Sequence, residues 1–140
     1  MLDLSKERDA HVDQRLRSDP IIWLTTVRSD GRPHTIPVWF LWDGETILIV
    51  SQPNTQKIRN LRSNPNVTLA LDGSDEGGDV VVLEGQADLL KEKVAELNLS
   101  GYYAKYSSSI QEMGETLENM AQSYSQPIRI TPTKFIAWHD

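Results

Sequence analysis

Apolar and polar positions change their period several times along this chain, and each change marks an element. Leu4 to Arg17 is polar except for a thin face, with Val12 and Leu16 one turn apart, which predicts a surface helix. Ile21 to Val27 is β-branched and aromatic and predicts a strand. Ser29-Asp30-Gly31-Arg32 predicts a turn, and Thr35 to Trp42 a second strand. Asp43-Gly44 tolerates positive φ and predicts a hairpin into a third strand, Thr46 to Val50. Three strands joined by tight turns predict an antiparallel meander. Val67, Leu69 and Leu71 alternate with Thr68 and Ala70, the mark of a half-buried strand. Val80 to Ala87 predicts another, with Gly85 as a bulge that curls the sheet. Lys91 to Leu99 predicts a helix. Ser109 to Tyr124 predicts a second, because Ile110, Met113, Leu117, Met120 and Tyr124 recur every three or four residues. Pro127 to Thr131 and Lys134 to Trp138 predict two closing strands.

These elements predict a mainly β fold with helices: one domain over residues 1–140, built as a six- to seven-stranded antiparallel barrel with helices packed on it. Closure removes the exposed strand edges that such a sheet would otherwise carry.

The segment from Ile47 to Leu71 carries the most chemistry. An apolar run ends in a polar corner, Ser51-Gln52-Pro53-Asn54-Thr55, and a basic segment, Gln56 to Ser63, follows at once. A helix start offers unpaired N–H groups and a partial positive charge, which suit a phosphate. Equally, Ser51 and Thr55 suit a turn and a cap, with Lys57, Arg59 and Arg62 on the solvent face and Ile58 and Leu61 buried. Lys57 stands apart because a cation in the first turn opposes the helix dipole unless an anion is near. In the second strand, Pro37 cannot donate a ladder hydrogen bond, which predicts an edge or an interruption. Trp39 and Trp42 point to opposite faces, so one suits the core and the other a groove.

Composition narrows the classes. The 140 residues carry a net charge of −6 and a pI near 5.0, which argues against nucleic acid as a partner. There is no cysteine, so disulfides and thiolate chemistry are excluded. The charged N-terminal segment and the lack of an apolar run of about 20 residues predict a cytoplasmic protein without membrane contact. His11, His34 and His139 are scattered, which disfavours a metal site. Nothing resembles a nucleophile elbow, a P-loop or a dinucleotide glycine pattern. Tyr102, Tyr103 and Tyr106 suit helix packing, with a substrate pocket as the alternative.

Four segments together resemble the pyridoxamine 5'-phosphate oxidase-like family of flavin and deazaflavin split-barrel proteins. They are WLTTVRSDGRPHTIPVWFLWDGETILIVS, KIRNLRSNPNVTLAL, GGDVVVLEGQADLL and IRITPTKFIAW. PVWFLWDG and GGDVVVLEG are most similar to its branch that uses the deazaflavin coenzyme F(420). The resemblance implies a split barrel and a homodimer with cofactor at the interface. It implies that Pro37, Val38 and Trp39 border the cofactor ring. Val50, Ser51, Thr55, Gln56 and Lys57, on the third strand and the turn after it, would hold the phosphate. It places Trp138 near the cofactor of the partner subunit. Gln56 stands where the flavin oxidase has arginine, and Thr35 or Ile36 stands where it has another. Residues for a pyridoxamine phosphate substrate are missing. These departures favour coenzyme F(420), with FMN as the alternative. The implied activity is hydride transfer between the deazaflavin and a small conjugated organic substrate, with no side chain as acid or base. Arg59 or Arg62 would meet the acidic tail of the deazaflavin. A non-catalytic flavin- or haem-binding carrier or sensor is the further alternative, with His34 as its one axial candidate.

Overall fold

The computed structural model describes residues 1–139. A helix, α1 (Glu7–Ser18), precedes two strands, β1 (Ile22–Val27) and β2 (Pro33–Val38). Two more follow, β3 (Leu41–Trp42) and β4 (Ile47–Ser51), then α2 (Gln56–Ser63) and β5 (Asn66–Leu71). The second half holds β6 (Asp79–Leu89), α3 (Ser100–Glu112), α4 (Leu117–Ser123) and β7 (Gln126–His139). The seven strands form one antiparallel sheet in the order β2-β1-β5-β6-β7-β4-β3, curled into a split barrel.

That order corrects the expected meander. β1 and β2 form a hairpin, and β3 and β4 form another, but β2 and β3 lie at opposite edges of the sheet. Thr35 to Trp42 is therefore not one strand. The chain leaves β2 at Val38, crosses through Trp39 and Phe40, and starts β3 at Leu41. Pro37 sits on an edge strand, where its missing N–H costs no ladder bond. At the crossing, the Phe40 side chain is fully buried, so its backbone groups need partners away from the sheet. The Tyr106 hydroxyl accepts from the Phe40 N–H at 2.9 Å, and Lys105 Nζ donates to the Phe40 carbonyl at 3.0 Å.

One core lies inside the curl. Ile22, Leu24, Phe40, Trp42, Ile47, Ile49, Leu69, Leu83, Ile128 and Ile130 form it, closed by Val12 and Leu16 of α1 and by Ile58 and Leu61 of α2. A second core lies under α3, where Leu48 meets Leu99, Tyr102, Tyr106 and Ile110. β4 contributes to both, which explains its unbroken apolar run from Ile47 to Val50.

Three further expectations are corrected. Lys91 to Leu99 forms only a 3₁₀ turn at Val94–Glu96. Ser109 to Tyr124 is not one helix: it holds the end of α3, which begins at Ser100, and all of α4, parted at Gly114, whose φ of +73° breaks the helix. Pro127 to Trp138 is one long strand, β7, which absorbs Pro132 opposite a register shift at Glu84/Gly85. The extra residue is Thr133 of β7, opposite Glu84/Gly85, and this bulge lets β6 and β7 pair over their whole length while the sheet bends.

Candidate functional site

α2 starts where β4 ends, and its first turn is open. The helix follows Thr55, whose side chain makes no capping bond. The first helical N–H to reach a carbonyl is that of Arg59, bonded to Thr55 O at 3.1 Å. The N–H groups of Gln56, Lys57 and Ile58 find no acceptor among the described residues. Ser51 is fully buried; its Oγ donates to Gln52 O at 2.8 Å and lies 3.3 Å from Thr55 Oγ1. Two hydroxyls and an uncapped helix start therefore share one corner.

Lys57 belongs to the same turn and is only 9% exposed. Among the described residues it has neither an ion pair nor a hydrogen bond. Burial pushes its ammonium below the ordinary lysine value. Lys57 is buried on the same helix as Ile58 and Leu61, and its side chain lines a cleft of about 340 Å³. The remaining walls are Ile36, Pro37, Val38 and Trp39 from β2 and the crossing, Ile21, Val50, Tyr102 of α3, and Met113, Met120 and Tyr124 around α4. The cleft is thus apolar with one buried cation, a combination that disfavours the free protein and favours an anionic, largely apolar ligand.

Of the sequence-predicted residues, Pro37, Val38, Trp39, Val50 and Lys57 meet in this cleft. Ser51 and Thr55 stand beside it at the start of α2. Gln56 is engaged elsewhere: its Nε2 donates to Asn60 Oδ1 at 2.7 Å, and its Oε1 accepts from Arg59 at 2.8 Å. Asn60 passes the chain on to buried Thr26 at 2.9 Å. Arg59 also donates to Asn54 O at 2.7 Å, which holds the turn. Arg62 is exposed. Trp138 does not line the cleft; it is 52% exposed and donates to Gly77 O at 2.9 Å.

Sequence reasoning missed Ile21, Met113, Met120 and Tyr124 as cleft residues. The spacing of Met113, Met120 and Tyr124 recorded a shared face but not what it faces. The tyrosines divide. Tyr106 is structural, stacked on Trp39 and bonded to Phe40 and Pro20. Tyr102, 2% exposed, lines the cleft, and burial raises its hydroxyl pKa so that it stays protonated.

The sequence matches the model of the pyridoxamine 5'-phosphate oxidase family over residues 9–139. The chain belongs to this family. Among solved structures, an F(420) reductase is 25% identical, with a TM-score of 0.65, 88% of this chain covered and 94% of the other. A conserved hypothetical protein of Mycobacterium tuberculosis is 24% identical, with a TM-score of 0.75, covering 93% of this chain and 83% of the other. The heme storage protein HutZ from Vibrio cholerae shares the fold at 16% identity, with a TM-score of 0.62, covering 91% and 90%. No curated protein sequence matches the chain. The fold therefore hosts flavin-type reductases and heme storage proteins alike, and the site must choose between them. No helix among the described residues is long and apolar enough to cross a membrane. No group of three or more metal-ligating side chains comes together among them.

Proposed function

We propose that this protein binds coenzyme F(420) and works as an oxidoreductase on a small conjugated organic substrate. The observation that carries the reading is the buried, unpaired Lys57 ammonium at the wall of an apolar cleft. A phosphate beside the first turn of α2 would pair with Lys57 and accept from the open N–H groups of Gln56, Lys57 and Ile58. Ser51 and Thr55 hydroxyls would complete that grip. The residues present fit a ribityl phosphate followed by a flat ring.

When bound, such a cofactor supplies the hydride. The protein binds, orients and dries the site. Backbone at Pro37 to Trp39 borders the ring, and Trp39 is held in place by its stacking on Tyr106. Ile21, Ile36 and Met120 give the cleft its apolar wall. Tyr102 keeps its proton and serves as a neutral wall. Among the described residues no carboxylate or imidazole lines the cleft, so the acceptor would take its proton from solvent.

FMN is the second candidate, since it offers the same ring system and phosphate. The engagement of Gln56 with Asn60 and Arg59 favours the deazaflavin, because that side chain is not free to replace the oxidase's arginine. A homodimer in the cytoplasm fits this reading, with Trp138 of each protomer reaching toward its partner's cofactor. Fluorescence titration of the apo-protein with each cofactor tests the choice: tighter binding of F(420) supports it, and tighter binding of FMN overturns it. Turnover with enones or quinones separates an enzyme from a carrier. Sedimentation at micromolar concentration tests the dimer.

A further inference from the structure

β2 presents His34, Ile36 and Val38 on one face, and the last two line the cleft. His34 stands two residues further along the same edge strand. Its cross-strand partner is Thr26, which is fully buried and receives the Asn60 amide of α2 at 2.9 Å. Lys57 lies one turn before Asn60 on that helix. The topology therefore places His34 beside the Lys57 corner, past the end of the apolar cleft. Its Nδ1 is buried and has no hydrogen-bond partner, the one such side-chain atom among the described residues. An orphan buried donor is rarer than an orphan acceptor, so the lone pair sits at Nδ1 and the proton at Nε2. Protonating the ring would put a donor at this buried, unpartnered atom.

The charged groups facing the ring are Arg28, just past the end of β1, and Lys57 of α2, both cationic. Burial is the larger cause, and both cations act in the same direction, so the imidazole is held below its ordinary value. An anion seated at Lys57 offsets that cation and weakens the opposition to a charge on His34.

We propose that His34 is part of the anion site and takes up a proton when a phosphorylated ligand seats beside Lys57. The site then holds its ligand with a charged imidazole that is neutral in the free protein. A proton moves from solvent to His34, and no other bond changes. This inference rests on the anion-site reading of Lys57 but not on which cofactor carries the phosphate. F(420) carries its phosphate as a diester with no titration near neutrality, and the part of the proton uptake that His34→Gln abolishes is the part that comes from the protein.

The test follows the His34 ring protons by NMR between pH 5 and 8. Four conditions are compared: free protein, protein with F(420), with FMN, and with inorganic phosphate. The expected result is a His34 pKa below 6.5 alone, rising by roughly one unit or more with each phosphate-bearing ligand. Riboflavin, which lacks the phosphate, leaves it unmoved. Calorimetry in buffers of different ionisation enthalpy should show uptake of about one proton per F(420) bound, lost in His34→Gln, which binds more weakly and is measured at saturating ligand. A rise with inorganic phosphate but no binding of F(420) or FMN supports the His34 role and overturns the cofactor reading. A His34 pKa unmoved by all three phosphate ligands overturns the inference. So does proton uptake unchanged in His34→Gln.

Discussion

Trp39 lies flat on Tyr106, with ring centroids 4.3 Å apart and planes within 1° of parallel. The contact occurs where the chain leaves one edge of the sheet and crosses to the other. It fixes one wall of the cleft by tying the crossing to α3. The Tyr106 hydroxyl adds a donor bond to Pro20 O at 2.7 Å beside its contacts with Phe40. The stack and these bonds together make the crossing rigid without any ladder pairing.

Tyr106→Phe keeps the stack but removes the hydroxyl. The buried Phe40 N–H loses its acceptor, and the expected loss of stability is about 1–3 kcal/mol. Urea denaturation with an unchanged slope would show it as a lower midpoint. A smaller loss of cofactor affinity should follow, because the stacked ring still positions Trp39.

Lys57→Met should move stability and binding in opposite directions. It retains the packed stem but removes a buried charge that no protein group pairs, so the apo-protein should gain stability. Affinity for a phosphorylated cofactor should fall by on the order of 1–3 kcal/mol. A melting-temperature comparison with and without F(420) reads both effects. A destabilised apo-protein would show that Lys57 is structural.

Gly85→Ala tests the bend. A Cβ at this position would stand 2.7 Å from the Thr131 carbonyl oxygen and 3.1 Å from Ile130 Cγ2. Backbone must move, and the bulge that joins β6 to β7 is the place where it would. The expected cost is roughly 1–3 kcal/mol, measured as a shift in denaturant midpoint.

Lys105 predicts an alkaline dependence. Burial lowers its ammonium from 10.5 to about 8, against the pull of Asp19. Below that value both folded and unfolded chains carry the proton, and the folded state bears the full penalty of burying it. Above it the folded chain sheds the proton first, the unfolded chain binds more protons, and stability rises toward pH 10.5. Denaturation midpoints between about pH 7.5 and 9.5 should therefore climb more steeply in wild type than in Lys105→Met. Loss of the bond to Phe40 O gives the variant a constant offset, so the slope is the decisive quantity.

Much of this fold was legible because burial on one or both faces leaves a period in the sequence. β1, β4, β5, β6 and α2 fall where alternation and turn residues put them. Thr35 to Trp42 misled because the residues on both sides of the crossing are strand formers, and periodicity does not say which edge a strand joins. Ser109 to Tyr124 misled because its apolar spacing continues through Gly114, where the backbone turns. Lys91 to Leu99 has helical composition, yet its backbone is spent on joining β6 to α3. At the site, Lys57 could be singled out because its position conflicts with the helix dipole. Ile21, Met120 and Tyr124 could not, since the start of β1 and the α4 region come together only after folding. His34 looked isolated in sequence because Thr26, Asn60 and Lys57 reach it from another strand and a helix.

The cleft has two makers with different freedom to change. One wall comes from β2, β4 and α2, whose residues also serve the strand ladders and the inner core. The other comes from α3 and α4, which lie in the connection between β6 and β7, and α4 has no buried residue. α3 is bound to the crossing through Tyr106 and Lys105, so the freedom lies in α4, where a change of sequence leaves every strand register intact. On the reading of the cleft as a cofactor site, α4 is the part that can alter which acceptor is admitted while the anion grip stays put, and exchanging that helix alone is the direct way to change it.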